Sequence, residues 1–499
     1  MKARDAHKKN ENKTSNKNEE EEKLELPKVL RAKKKELSEW YHQILFLADI
    51  VDIRYNLKGM NVWKNYGYET MLNLKRYWDY VFKKNGLKEL YFPQIVPIEY
   101  CEQNPEWWNG FKEQGFKVIA GEKDEIQGAL RPTGEAAMYP MYAIWIKTFR
   151  DLPLRAYETV SSFRYETRHT RPLIRDREIT LWHEIHTVHA TKEDCLKEAQ
   201  NHIAYYKQLW TFVAVHPLIV DKPKWELFPG AIGGIEFYNI TPDGKVMENG
   251  SVNILGQAYA KKFNIKFKDS DNTEKIAWQV CTGNGARLLA AALIQHGDDK
   301  GLVLPPNIAP YQVVIVPILF EKEKEIIMKN AETLKEMIEN AGIRVLLDDR
   351  EETPGRKFYD WEIKGVPLRA EIGPEDIKKN QVVLVKRNDG KKIAIKREIL
   401  VSEVNSLLKT IQEELLKKSQ KETVEGIDYA DSLKNMEKLL EKGKCTKIHW
   451  CRKSECYDRV KAVKEGAEIF GSDYYEKKKG RCIACSEETD NLAYVAKTY

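Results

Sequence analysis

The pattern of apolar and polar positions changes once along the chain, near residue 311, and that change divides it. Before it, from Met71 to Phe82, Leu72, Leu74, Trp78 and Val81 recur at near-helical spacing, which predicts an amphipathic helix. The stretch Tyr91-Phe92-Pro93-Gln94-Ile95-Val96-Pro97 predicts an extended segment broken by prolines, which cannot donate to a sheet. Helical stretches and short apolar runs then alternate to about Pro310. From Tyr311 the order is clearer. Gln312 to Leu319 reads as a buried strand, Glu321 to Ala341 as an amphipathic helix ended by Gly342, and Arg344 to Leu347 as another strand. Strand, helix, strand implies a small α/β domain with some parallel pairing, continuing through Val382 to Val385. A charged helix from about Glu398 to Lys418 leads into a cysteine-bearing C-terminal region. No internal repeat is visible.

At 499 residues the chain is too long for one ordinary core and is expected to form roughly three domains. The boundaries are set at 24–310, 311–405 and 406–499. Residues 1–23 are mostly Lys, Asn and Glu, and are expected to be a disordered charged tail because they offer too little apolar surface to offset ordering. Hydrophobic residues make up 42% and charged residues 32%, which suits a soluble protein. No run of about 18 apolar residues and no apolar signal region appears, so neither a membrane span nor a secretory leader is expected, and the compartment expected is the cytoplasm. The net charge of +6 is compatible with a polyanionic partner and does not require one.

Of eight cysteines, Cys101, Cys195 and Cys281 are scattered and Cys445, Cys451, Cys456, Cys482 and Cys485 cluster. Clustered cysteines in a long chain without a leader point to a metal more than to disulfides. Cys451-x4-Cys456 and Cys482-x2-Cys485 form two close pairs that can close a tetrahedral Zn²⁺ shell, a structural arrangement that would help a small domain fold. Cys445 stands outside the four.

Three segments carry candidate chemistry. One is Arg131-Pro132-Thr133-Gly134-Glu135. Another runs from Phe163 through Arg164, Glu166 and Arg175 to Arg177, followed by Trp182-His183-Glu184-Ile185-His186-Thr187. The last is Gly283-Asn284-Gly285-Ala286-Arg287. The middle segment packs five arginines and three histidines beside several acids. That density suits a polyphosphate site, because the planar guanidinium fork binds phosphate oxygens in pairs. Glycines before Arg287 allow close approach of backbone and ligand, and the guanidinium can stack on an aromatic ring. An exposed charged hairpin followed by a turn is the plainer alternative.

These segments resemble motifs 2 and 3 of the class II aminoacyl-tRNA synthetases, and Asn85-Gly86 through Pro97 resembles motif 1, the dimer-forming strand. The wording around motif 2, the Thr-x-Glu triplet at 133–135 and His-Thr-x-His at 186–189 resemble prolyl-tRNA synthetases of the archaeal/eukaryotic type in particular. The resemblance implies an α+β catalytic domain, an antiparallel sheet with flanking helices, followed by an α/β anticodon-binding domain and a small C-terminal zinc-binding domain. It implies ATP, Mg²⁺ and structural Zn²⁺, with L-proline and tRNA(Pro) as substrates and a homodimer as the assembly. By resemblance Arg164 would bridge the ATP α-phosphate and the amino-acid carboxylate, and Glu166 would contact the adenine amino group. Arg175 would grip phosphates and Arg287 would lie against adenine and the γ-phosphate, with Glu248 and Ser251 on the nucleotide side. Thr133 and Glu135 would meet the proline ammonium. Trp182, His186 and Phe237 would line the ring pocket, supported by Glu184. Arg164 and Arg287 are the expected catalytic groups. Only 123 residues separate them, which leaves no room for a large editing insertion.

The chain departs from the family wording along one wall. Gly134 replaces a serine; Ile232 to Asn239 is rewritten; Glu248, Ser251 and Asn253 stand where Gln, Thr and His are usual; Thr282, Asn284 and Ala286 differ near motif 3, as do Asp176 and His183. Two other readings therefore stand beside the first: a paralogue with a changed amino acid or acceptor, and a catalytically weak tRNA-binding regulator on the same scaffold. Further on, Pro354 to Glu362, Lys364 to Arg369 and Glu371 to Pro374 resemble the family's anticodon-binding domain. Single-stranded bases are read by stacking and edge hydrogen bonds, so Phe358 is expected to stack, Glu362 to accept from guanine, and Arg369 and Lys391 to serve phosphate or guanine acceptors. Glu375 replaces a usual arginine, and the chain ends, as the family does, in a tyrosine, Tyr499.

Overall fold

The computed structural model describes residues 28–111, 113–119, 126–166 and 169–499. The expected tail over 1–23 lies outside them, as do Thr167 and Arg168 in the arginine-rich segment.

The helix expected over 71–82 extends from Asn65 to Lys84, and its buried side chains Tyr66, Met71, Leu74, Trp78, Val81 and Phe82 follow one face. It ends where Gly86 turns with a φ of +82°. Lys83 and Lys84 in its last turn complement the negative end of the helix dipole.

The region before residue 311 is built on a large sheet. Leu154–Phe163, Glu178–His189, Trp278–Asn284, Val246–Gly256, Gly233–Ile240 and Leu218–Asp221 lie side by side in that order and pair antiparallel. One face is packed by the helices Lys192–Phe212 and Ala286–His296 together with Asn65–Lys84, in a continuous apolar core. The helix Ala286–His296 is buried all round, which its Leu/Ala/Ile composition permits. The other face carries the polar side chains of the site.

The 311–405 region forms a five-stranded sheet in the order Val345–Leu347, Val313–Pro317, Leu368–Ile372, Gln381–Lys386, Lys392–Lys396. Its first two pairings are parallel, as a strand–helix–strand crossover requires. The crossover helix Lys324–Asn340 buries Ile327, Ala331, Leu334 and Ile338 at helical spacing. The following helix is longer than the sequence suggested, Leu400–Glu425, and runs across the boundary set at 405. Leu400, Val404, Leu408, Ile411 and Leu415 pack into the core of the five-stranded domain, so this segment belongs to it by burial.

The C-terminal region does not stand apart as a separate layer. Its strand Ala467–Arg481 pairs with Leu218–Asp221 through Ser472 opposite Asp221 and Asp473 opposite Val220. The large sheet thereby continues through Glu488–Lys497 and Cys445–His449. No local pattern announces such a pairing, because the partners are some 250 residues apart and the join is two residues long.

Candidate functional site

A cavity of about 340 Å³ opens over the polar face of the large sheet. The strand Glu178–His189 explains how. Side chains alternate across a strand, so Trp182, Glu184 and His186 face the cavity. His183 faces the other way, against the rings of Trp78 and Phe82, and meets the Tyr206 hydroxyl at 3.1 Å through Nε2. Burial pushes His183 down to about 3, so it is a neutral core histidine.

Glu184 is the hub of the cavity floor. Its Oε1 accepts from Thr133 Oγ1 at 2.8 Å and from Trp182 Nε1 at 2.6 Å. Its Oε2 accepts from the Gly134 amide at 2.6 Å and lies 3.0 Å from His186 Nε2. A Cβ at residue 134 would sit 2.3 Å from that oxygen, so glycine there admits the amide bond. His186 Nδ1 is held in turn by the Tyr139 hydroxyl at 2.8 Å. Burial alone would raise the Glu184 carboxyl, but the bond from His186 and the charge of Arg131 outweigh it and hold the group at about 2. Arg131 is itself fully buried and pairs with Glu158 at 2.6 Å.

Above this floor the arginines converge. Arg164 is fixed by its Nε donating to the Pro132 carbonyl at 3.0 Å, with its guanidinium 5.6 Å from the Trp182 ring centre. Arg287 donates from Nε to the Ile174 carbonyl at 2.6 Å and from Nη1 to the Glu248 carbonyl at 3.3 Å. Arg175 lines the same cavity and donates to the Tyr499 carbonyl at 3.3 Å. The Tyr499 ring sits 4.8 Å from the guanidinium of Arg171, so the end of the chain braces the arginine-rich segment. Glu166, Glu248 and Ser251 also line the cavity. Gly283 is required there, since a Cβ would meet the Trp182 ring at 2.6 Å.

Of the residues expected at the catalytic site, Phe237 is the one the structure removes. It is fully buried in the core on the far side of its strand, its ring 5.3 Å from that of Tyr206. The alternation of Gly233–Ile240 sends Glu236 into the cavity instead. There Glu236 accepts from Lys222 Nζ at 2.5 Å and from the Tyr238 hydroxyl at 2.6 Å. Burial, then the neighbouring Glu248 charge, push its carboxyl up to about 7. Asp176, bonded to the Leu173 amide and to Asn61 at 2.7 Å each, is pushed to about 7 by burial as well. Glu236, Lys222 and Cys281 are cavity residues the sequence reading does not single out; for Glu236 and Cys281 a polar residue at the inward phase of a strand is the available signal, and Lys222 lies just past the strand Leu218–Asp221.

In the five-stranded domain, Glu362 and Arg369 line one cavity of about 360 Å³ together with Lys300, Lys386 and Arg387. Arg369 lies 4.1 Å from the Phe358 ring centre and donates from Nη2 to Glu371 at 2.8 Å. Lys391 stands apart from this lining, exposed on the neighbouring turn beside Asp389. In the C-terminal region the Sγ atoms of Cys451 and Cys456 are 3.5 Å apart and those of Cys451 and Cys485 3.7 Å apart, and Cys482 completes the cluster. Tetrahedral Zn–S bonds of about 2.3 Å place sulfurs about 3.8 Å apart, so the four thiols fit a closed metal shell.

Residues 116–296 match the tRNA synthetase class II core domain (G, H, P, S and T), and residues 312–407 match an anticodon binding domain. Arginines over a polar antiparallel sheet, followed by such a domain, are those of a class II aminoacyl-tRNA synthetase. Within that class the chain is 39% identical to the proline--tRNA ligase of Methanobrevibacter smithii over 93% of its own length and 99% of the relative's. It is 40% identical to the Methanosarcina mazei proline--tRNA ligase (93% and 98%) and 38% identical to that of Pyrococcus abyssi (93% and 98%). The chain belongs to the proline--tRNA ligase family.

Proposed function

We propose that the chain activates L-proline with ATP and transfers the prolyl group to the 3′ end of tRNA(Pro). The observation that carries this reading is the convergence of Arg164, Arg175 and Arg287 over a floor organised by Glu184. Two anions must meet in the first step. The proline carboxylate attacks the α-phosphorus, the bond to the bridging oxygen breaks, and pyrophosphate leaves. A tRNA ribose hydroxyl then attacks the acyl carbon of the adenylate, and AMP departs. Neither step needs a protein nucleophile; both need fixed positive charge and orientation. Arg164, tied to Pro132 beside the floor, would serve carboxylate and α-phosphate together. Thr133 and Glu135 stand at the amine end of the amino acid, and Trp182 and His186 flank its ring. Glu166, Ser251 and Arg287 serve the nucleotide.

Mg²⁺ would be held mainly by the ATP phosphates. Glu236 and Asp176 already have partners of their own, and Glu166 and Glu248 are the lining carboxylates on the nucleotide side that would join it. Bound there, the ion supplies neutralisation of phosphate charge. Zn²⁺ would be held by Cys451, Cys456, Cys482 and Cys485 and supplies a cross-link for the small C-terminal core. Phe358, Glu362 and Arg369 read the anticodon, with Lys391 on the phosphate side. The exposed apolar side chains Tyr91, Ile95, Ile126 and Trp145 support a homodimer built on the motif 1 segment. Among the described residues no helix is long and apolar enough to cross a membrane, and the cytoplasm is the compartment this chemistry suits.

One observation favours a second reading. The Lys222–Glu236–Tyr238 trio, with Glu236 and Tyr238 buried, places charge in the cavity wall where the family wording is rewritten. A paralogue activating a different small amino acid would use such a wall. ATP–pyrophosphate exchange with a panel of amino acids separates the two. Exchange driven by proline supports the first reading; exchange driven by another amino acid alone establishes the second; sedimentation of the same sample reports the dimer.

A further inference from the structure

The wall carried by residues 222–229 is a strap with the cavity on one side and the C-terminal region on the other. Lys222, Glu226, Leu227, Phe228 and Pro229 line the cavity. The Phe228 ring lies nearly parallel to that of Tyr259, with centres 5.9 Å apart. Trp225 meets the other side. Its ring contacts those of Trp450 and Tyr457 nearly edge-on, at 5.9 and 5.3 Å. Just before the strap, Asp221 at the end of Leu218–Asp221 pairs with Arg452 at 3.0 Å.

All three partners adjoin the cysteine cluster in sequence. Trp450 and Arg452 flank Cys451, and Tyr457 follows Cys456. Arg452 takes a φ of +65°, a conformation that costs a residue with a side chain and persists where its surroundings impose it. Thiols drawn around one ion fix the segment that presents these groups. The strap itself is tied to the large sheet at its ends, where the Lys222 amide donates to the Gly234 carbonyl at 2.9 Å and the Ile232 amide to that of Ile254 at 2.8 Å. Between those ties, among the described residues, the backbone bonds run from Glu226 to Pro223 and from Ala231 to Phe228, both within the strap. An exposed ion pair such as Asp221 with Arg452 contributes little energy. Two edge-on ring contacts contribute more, so Trp225 carries the grip.

We propose that Trp225 is a positioning residue through which the C-terminal cysteine cluster, with its metal bound, keeps the 222–229 wall closed on the amino-acid substrate. This rests on the reading of the cavity as an amino-acid activation site. Trp225 acts through the strap rather than on the reacting atoms. Charge at the α-phosphorus is met by the arginines, so the clamp bears on how tightly the amino acid is held and leaves the rate from the bound state alone. A loosened strap opens the space beside Phe228 to water, and an apolar ring held there loses part of its burial. A change of that kind raises KM with kcat unchanged.

The test follows the amides of the strap. In full-length Trp225→Ala, hydrogen–deuterium exchange over 222–232 is expected to quicken about tenfold, the size two ring contacts support. The KM for proline in pyrophosphate exchange is expected to rise about as much, with kcat and zinc content kept. Trp225 is 45% exposed, so its removal opens no core. Trp225→Phe keeps a ring for Trp450 and Tyr457 and is expected to restore both readouts. Stripping zinc from the wild type with a chelator is expected to quicken the same amides, and to add nothing to them in Trp225→Ala. Amides indifferent to zinc, a chain that takes up no zinc, or faster amides in Trp225→Ala with an unchanged KM each overturn the proposal. Proline-driven exchange together with indifferent amides keeps the activation reading and removes the clamp. Amides that follow zinc and Trp225 in a chain that another amino acid drives, with the KM for that amino acid raised in Trp225→Ala, keep the clamp and remove proline.

Discussion

The floor and the far wall of the cavity are built by opposite rules. The floor, Thr133, Gly134, Trp182, Glu184 and His186, is a closed hydrogen-bond network in which one carboxylate receives four partners. The far wall, Lys222, Glu236, Tyr238 and Glu248, is a charged group in which one carboxylate is pushed up to about 7 by burial. A satisfied network fixes geometry and tolerates little change. A wall held by one lysine and one hydroxyl can be rewritten while the floor stays. On the resemblance, the departures from the family wording gather on the wall, and on the floor only Gly134 departs, in line with that difference.

The largest expected effect is on the arginine that serves both. Arg164→Ala is expected to lower proline-dependent pyrophosphate exchange by about 10²–10³-fold, the size seen when one fixed donor to developing charge is removed. A loss of less than tenfold would move the α-phosphate contact elsewhere. Next comes the floor: Glu184→Gln removes a buried charge that His186, Thr133 and Trp182 share, and is expected to cost about 3 kcal/mol in chemical denaturation. The wall gives a pH-dependent effect, at most as large. The Glu236 carboxyl is raised in the folded chain from its ordinary 4.5 to about 7, so the folded state binds more protons between those values. Stability therefore falls as pH rises from about 4.5 to 7, and Glu236→Gln is expected to remove up to about 3 kcal/mol of that slope. Equal slopes for wild type and variant would assign the pH dependence to Asp176 and Glu158, which burial raises likewise. The smallest effect is expected from Arg369→Ala in the five-stranded domain. It should lower kcat/KM for tRNA by about tenfold, one to two kcal/mol of contact, and leave pyrophosphate exchange unchanged.

Much of the architecture was legible because it is written locally. Four cysteines in two close pairs, a strand–helix–strand period after residue 311, and arginines bracketing glycines each sit within a short window. What was not legible depends on phase or on distance along the chain. Phe237 reads as a pocket aromatic until the strand's alternation turns it into the core and Glu236 into the cavity. Cys281 reads as a scattered thiol until strand register sets it beside His186. The joining of the C-terminal strands to the catalytic sheet and the docking of Tyr499 on Arg175 are pairings between distant segments that no local period encodes.

The central claim is that the arginines and the floor hold one prolyl-adenylate between them. Calorimetric binding of a non-hydrolysable sulfamoyl mimic of that adenylate measures it directly. The account predicts one mimic bound per chain, far tighter than proline or ATP alone, with affinity lost in Arg164→Ala. Binding no tighter than that of the separate substrates, or undiminished in the variant, would contradict it.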